Sequence, residues 1–115
     1  MPETSELSID PQRLADWIAE DPQLQVVDVR EPYERDAGHI ADTLHIEMNR
    51  LSSEAAKLDS DRPVVFYCRV GARSTMAAQA LRAAGFDAYS MSGGLLRWDR
   101  EGRPLSPYGG SVADH

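Results

Sequence analysis

The chain has 115 residues, with 12 Lys and Arg against 19 Asp and Glu and a net charge of −7, which argues against nucleic acid or an anionic membrane as a general partner. The length suits one hydrophobic core, and a single cysteine with three scattered histidines closes no internal disulfide and gives no zinc spacing, so no metal is implied. The opening MPETSELSID has neither a basic region nor an apolar run, and no stretch reaches the roughly 18 apolar residues of a membrane span; a soluble, cytoplasmic protein is the default expectation.

In chain order, Asp10 and Pro11 are an N-cap and a first-turn proline, and Leu14, Trp17 and Ile18 share one helical face before Asp21 and Pro22 end it. Leu24 to Val29 is a short apolar run of the kind buried on both faces of a parallel sheet, with Asp28 and Arg30 at its end. A short helix restarts around Glu31 to Glu34 and stops at Gly38, Leu44 to Ile46 is a brief strand, and Ser52 to Leu58 a third helix. Val64 to Tyr67 is the strongest strand, followed at once by Cys68 and by an alanine-rich helix expected from near Ser74 to Gly85. Asp87 to Met91 is a further strand, Gly93 and Gly94 a turn, and Leu95, Leu96 and Trp98 a closing helix that packs onto the sheet. Residues 1–104 form the expected domain, and 105–115, with prolines and paired glycines, an irregular C-terminal tail. Strands separated by short helices need crossover connections, so the expected architecture is α/β: a small doubly wound parallel sheet of four or five strands with helices on both faces.

The stretch from Val64 to Gly85 carries the chemistry. Arg69, Val70, Gly71 and Ala72, closed by Arg73, are too few for a wandering loop, and Gly71 can take positive φ. A tight loop of backbone N–H groups at a helix N-terminus is an anion cradle, and with two flanking arginines it favours thiolate at Cys68. A core cysteine would more naturally lie inside the strand. Charge is distributed accordingly: residues 1–61 hold fifteen acids against five bases, residues 62–115 four against seven, and no acid lies between Arg62 and Phe86. Such local focusing of positive charge fits a small anionic substrate.

Together, VVDVREPYERDAGHI, VVFYCRVGARS and GFDAYSMSGGLLRW resemble a single-domain rhodanese, the thiosulfate sulfurtransferase family, over about residues 7 to 104. The resemblance rests on Asp28 and Arg30, the GHI of Gly38 to Ile40, the CRVGAR loop and the GG with a tryptophan beyond it. It departs at Ala41 to His45, where the family usually has a proline and glycine leading to an asparagine.

The resemblance implies a small doubly wound α/β fold and a Cys68 nucleophile that carries sulfur as a persulfide. The donor would be thiosulfate or another persulfide, and the acceptor cyanide, a thiol or a protein, with no metal or organic cofactor. Arg69, Val70, Gly71, Ala72, Arg73 and Ser74 would bind substrate, with Arg30 a further candidate, although Arg73 can equally brace the loop. Asp28 is expected to be structural, His39 to bond to backbone, Met76 and Met91 to fill the core, and Tyr33, His45 and His115 have no assigned role. The alternatives are a non-catalytic rhodanese-like binding module or a sulfur relay, and a phosphatase or arsenate reductase. Against the last stand the four residues between Cys68 and Arg73, where the familiar phosphatase loop has five, and the want of a general acid.

Overall fold

A computed structural model describes residues 6–114, so His115 and residues 1–5 lie outside it. Asp10 caps the first helix, α1 (Pro11–Glu20), by accepting the Arg13 N–H at 2.8 Å, as its sequence predicts. The sheet has strands β1 (Ser8–Ile9), β2 (Gln25–Asp28), β3 (Leu44–His45), β4 (Val64–Tyr67) and β5 (Ala88–Met91). All pair in parallel, in the spatial order β1-β5-β4-β2-β3. The helices between them are α2 (Pro32–Ala37), α3 (Leu51–Glu54, flanked by 3-10 turns at Met48–Arg50 and Ala55–Lys57), α4 (Ala72–Ala83) and α5 (Gly94–Arg100).

β4 lies at the centre. Val64, Val65, Phe66 and Tyr67 are all fully buried, each contributing about 1.5–3 kcal/mol by leaving water. Alternate residues face opposite ways: Val64 and Phe66 join Val27, Ala77, Ala78 and Leu81 on one face, whereas Val65 and Tyr67 join Leu14, Met91, Leu95 and Trp98 on the other. The doubly wound α/β architecture is therefore that expected from the sequence. From β2 the chain crosses outward to β3, but from β4 it crosses the other way to β5. The ends of β2 and β4 thus flank the topological switch point, the usual ligand edge of such a sheet.

Several boundaries differ from expectation. β1 is an additional edge strand, held where Ser90 and Ser92 donate their N–H groups to the carbonyls of Leu7 and Ile9, each at 2.8 Å. α4 begins at Ala72, two residues early, because Gly71 (φ 108°) turns the chain straight into it. Met76 is not core: it is 60% exposed, because α4 buries Ser74, Ala77, Ala78 and Leu81 and so points position 76 outward. Met91 is buried.

Beyond α5 the chain is irregular but docked. The Trp98 indole N–H donates to the Pro104 carbonyl at 2.8 Å, Leu105 and Val112 join the core, and Ser106 and His39 exchange backbone hydrogen bonds of 2.7 and 2.9 Å. No helix among the described residues is long and apolar enough to cross a membrane.

Candidate active site

Cys68 follows the last residue of β4 and is 1% exposed, among Val29, Phe66 and Ala77. Position within the strand is thus not what separates it from a core residue; its polar contacts are. The Gly71 N–H donates to Sγ at 3.1 Å and the Ser74 N–H at 3.4 Å, while Ser74 Oγ lies 3.5 Å away. These groups come from the turn into α4 and from its first turn, where N–H groups have no intrahelical acceptor and the helix dipole is positive. A sulfur atom drawing such contacts is placed to hold negative charge. Ser74 is itself buried, 2.8 Å from Ser90 Oγ on β5, so its hydroxyl is fixed beside the sulfur.

The loop is held from beneath by α5. Leu95 N–H donates to the Cys68 carbonyl at 2.8 Å and Leu96 N–H to the Arg69 carbonyl at 3.0 Å. This close approach requires glycine at 94, since a Cβ there would fall 2.3 Å from the Arg69 carbonyl oxygen, and its φ is +62°. The paired glycines first read as a turn therefore also seat the cysteine loop.

The three arginines sit differently. Arg73 turns inward and forks onto Glu34 of α2, with Nη1–Oε1 at 2.8 Å and Nη2–Oε2 at 3.0 Å, and the Glu34 carboxylate is fully buried. Burial alone would raise the Glu34 carboxyl, but the Arg73 hydrogen bonds and the N–H of Glu31 outweigh it and hold the group below its ordinary range. The Glu34 hydrogen bonds in turn hold the Arg73 guanidinium charged, against the opposing effect of burial.

Arg30 is buried whole and meets Asp28 through Nε–Oδ1 and Nη2–Oδ2, each 2.8 Å, while Nη2 also donates to the Gly38 carbonyl. Burial disfavours its charge, yet the Asp28 hydrogen bonds more than compensate. Its Nη1 has no partner among the described residues. Arg30 thus stands at the end of β2, tied to the frame of the site, and Asp28 is the carboxylate that ties it.

Arg69 remains at the rim. Its Nη2 lies 3.3 Å from the Asp114 carboxylate, and its buried Nε has no partner among the described residues. Val70 and Tyr33 are exposed. Of the loop residues, Gly71 and Ser74 are brought onto the sulfur, whereas Arg73 is directed to Glu34, Arg69 to Asp114, and Arg30 is held by Asp28.

The two described histidines bond to backbone: His39 Nδ1 lies 3.0 Å from the Arg35 carbonyl, and His45 Nε2 donates to the Arg30 carbonyl at 2.7 Å. Tyr67, beneath the Ile40 turn, accepts the Ile40 N–H at 3.1 Å and lies 3.0 Å from Thr43 Oγ1. Burial, with the nearby Asp28 charge, pushes its phenol up to about 12. Glu34 and Ser90 are the residues whose importance sequence reasoning missed, and Gly94 reads there only as a turn and part of the GG motif. For Glu34 a signal existed, because it closes a capping box with Glu31 and so is fixed at the start of α2.

A family model described as a rhodanese-like domain matches residues 10–101. The chain is 38% identical over 100 residues to the "Probable adenylyltransferase/sulfurtransferase MoeZ" of Mycobacterium tuberculosis. That match covers 84% of this chain but only 26% of the relative's length. A protein of Allochromatium vinosum named "Sulfurtransferase" is 35% identical over 98 residues, covering 84% of this chain and 92% of the relative. Among solved structures, a rhodanese-related protein from Thermoplasma volcanium superposes with a TM-score of 0.79 at 32% identity, covering 85% of this chain and 95% of that one.

Proposed function

The chain belongs to the rhodanese-like domain family, and from that premise we propose that it is a sulfurtransferase working through a persulfide on Cys68, with thiosulfate as a competent donor. The observation that carries the reading is the set of N–H groups converging on a single sulfur from the Gly71 turn and the first turn of α4. These donors stabilise anionic sulfur without giving it a proton.

In the first step the Cys68 thiolate attacks the outer sulfur of thiosulfate. The new S–S bond forms as the thiosulfate S–S bond breaks, and its electron pair leaves on sulfite. Arg69, at the mouth, is the cation available to the sulfonate oxygens as they approach and depart. In the second step a nucleophile, cyanide or an external thiolate, attacks the terminal sulfur of the persulfide, and the pair returns to Cys68. No proton need be taken up or lost in either step. Cys68 is the sole cysteine of this sequence, so the domain offers no second thiol as acceptor; an external thiol, small or protein, fills that part, and a cytoplasm rich in thiols suits it.

Arg73 holds the ring shut through Glu34, and Arg30 fixes the neighbouring strand end through Asp28. Both act by shape and field more than by direct contact. The experiment is transfer of sulfur from thiosulfate to cyanide by wild type, Cys68→Ser and Cys68→Ala. Wild type is expected to turn over and both variants to be inactive while remaining folded. Activity retained in either variant would overturn the assignment.

A further inference from the structure

The C-terminal segment does more than cover the fold, because its course ends against Arg69 of the cysteine loop. Two exchanged hydrogen bonds join Ser106 to His39, and Ser111 N–H donates to the Ala37 carbonyl at 2.8 Å. Glycine at 38 permits this course, since a Cβ there would fall 2.4 Å from the Ser111 carbonyl oxygen. Val112 packs into the core beside it. Tyr33 Oη then donates to the Asp114 carbonyl at 3.1 Å, which brings that residue to α2 and the cysteine loop. The Asp114 side chain is 98% exposed and reaches Arg69 Nη2 at 3.3 Å.

The geometry points to Asp114 as a specificity-determining residue: its carboxylate, delivered by the docked segment, competes with anionic donors for Arg69 and lowers the cradle's preference for them over neutral reagents. This rests on Arg69 being the mouth cation of the proposed transfer. Three observations support it. The stretch from Arg62 to Phe86 contains no acid, so the carboxylate beside the loop comes from another segment. The docked backbone holds Asp114 in place, so its partner is not a chance neighbour of a free side chain. The Arg69 side chain is 28% exposed, so an incoming anion can reach the same guanidinium that Asp114 occupies.

The pair is open to water, so it is weak and displaceable; it tunes affinity and does not lock the site. Removing the charge is expected to change anion affinity about two- to fivefold, the range of exposed ion pairs. The charged groups around Tyr33, which holds Asp114, are Glu34, Glu31 and Arg73, and the substitution leaves the Arg73–Glu34 pair intact.

The test is Asp114→Asn, read by alkylation of Cys68 with anionic iodoacetate and neutral iodoacetamide at low ionic strength. The iodoacetate rate is expected to rise about two- to fivefold with the iodoacetamide rate unchanged, and the gain to vanish near 1 M salt, where the Debye length is about 3 Å. The KM for thiosulfate should fall by the same factor at constant kcat. An unchanged iodoacetate-to-iodoacetamide ratio would overturn the proposal, as would an equal rise in both rates, which would mark steric cover. Alkylation needs no sulfur transfer. An inactive wild type with a shifted ratio would therefore fault the transfer reading alone, and an active one with an unshifted ratio would fault only the role of Asp114.

Discussion

Replacing Arg73 by methionine removes two charge-assisted hydrogen bonds, of 2.8 and 3.0 Å, and leaves the buried Glu34 carboxylate without its cation. Breaking a buried pair from one side costs about 3–5 kcal/mol. The Arg73 side chain is 20% exposed, so water relieves part of the penalty and the lower end, about 3 kcal/mol, applies. A domain of this size loses roughly 3–6 °C in Tm per kcal/mol, so the midpoint should drop by about 9–18 °C. Arg73→Lys keeps the charge but loses the planar fork; it should cost about 1–2 kcal/mol and lower turnover by loosening the ring. The double variant Glu34→Gln/Arg73→Met leaves no buried charge at the pair and should recover at least half of the loss. Thermal unfolding and steady-state kinetics on the same preparations read these effects. A wild-type Tm in Arg73→Met combined with a raised thiosulfate KM would refute the reasoning, because Arg73 would then be a substrate ligand and not a brace.

Two further outcomes follow from the same geometry. The Glu34 carboxyl lies below its ordinary value of 4.5, so the stability it contributes is complete above that value and is lost as pH falls through the folded-state value. Wild type should therefore lose Tm steadily below about pH 4.5, whereas Glu34→Gln should show a flatter acid limb; parallel limbs would contradict the role of the pair. Gly94→Ala should disturb the cysteine loop itself, since its Cβ meets the Arg69 carbonyl, and should lower kcat/KM at least about tenfold together with Tm. Gly85→Ala is its control: φ is +98° but nothing lies within 4 Å, so it should cost stability alone. Equal activity in the two variants would mean that the Gly94 contact does not position the loop.

The central strand and the cysteine loop were legible because their signals are local. An unbroken VVFY run, a glycine able to take positive φ and an alanine-rich helix lie within one stretch, and the physics of a helix N-terminus needs no distant partner. What was not legible depends on pairs far apart in sequence. Glu34 and Arg73 are 39 residues apart, and no periodicity links an acid in α2 to a base in α4. β1 is two residues long, too short to show a pattern, and exists because β5 offers it a free edge. The docking of residues 102–114 is carried largely by backbone hydrogen bonds and a close approach at Gly38, which composition does not reveal. Met76 is a different case. The helical period already set it apart from 74, 77, 78 and 81, and only its apolar character suggested the core.

The covalent state of Cys68 after exposure to a sulfur donor is the most direct test of persulfide transfer. Protein freed of small thiols, treated with thiosulfate and desalted, should gain the mass of one sulfur atom, carried on the peptide that contains Cys68. Cyanide should remove that sulfur as thiocyanate in a single turnover, and Cys68→Ser should gain nothing. Unchanged wild-type mass after thiosulfate, or added sulfur that persists in Cys68→Ser, would contradict the persulfide route.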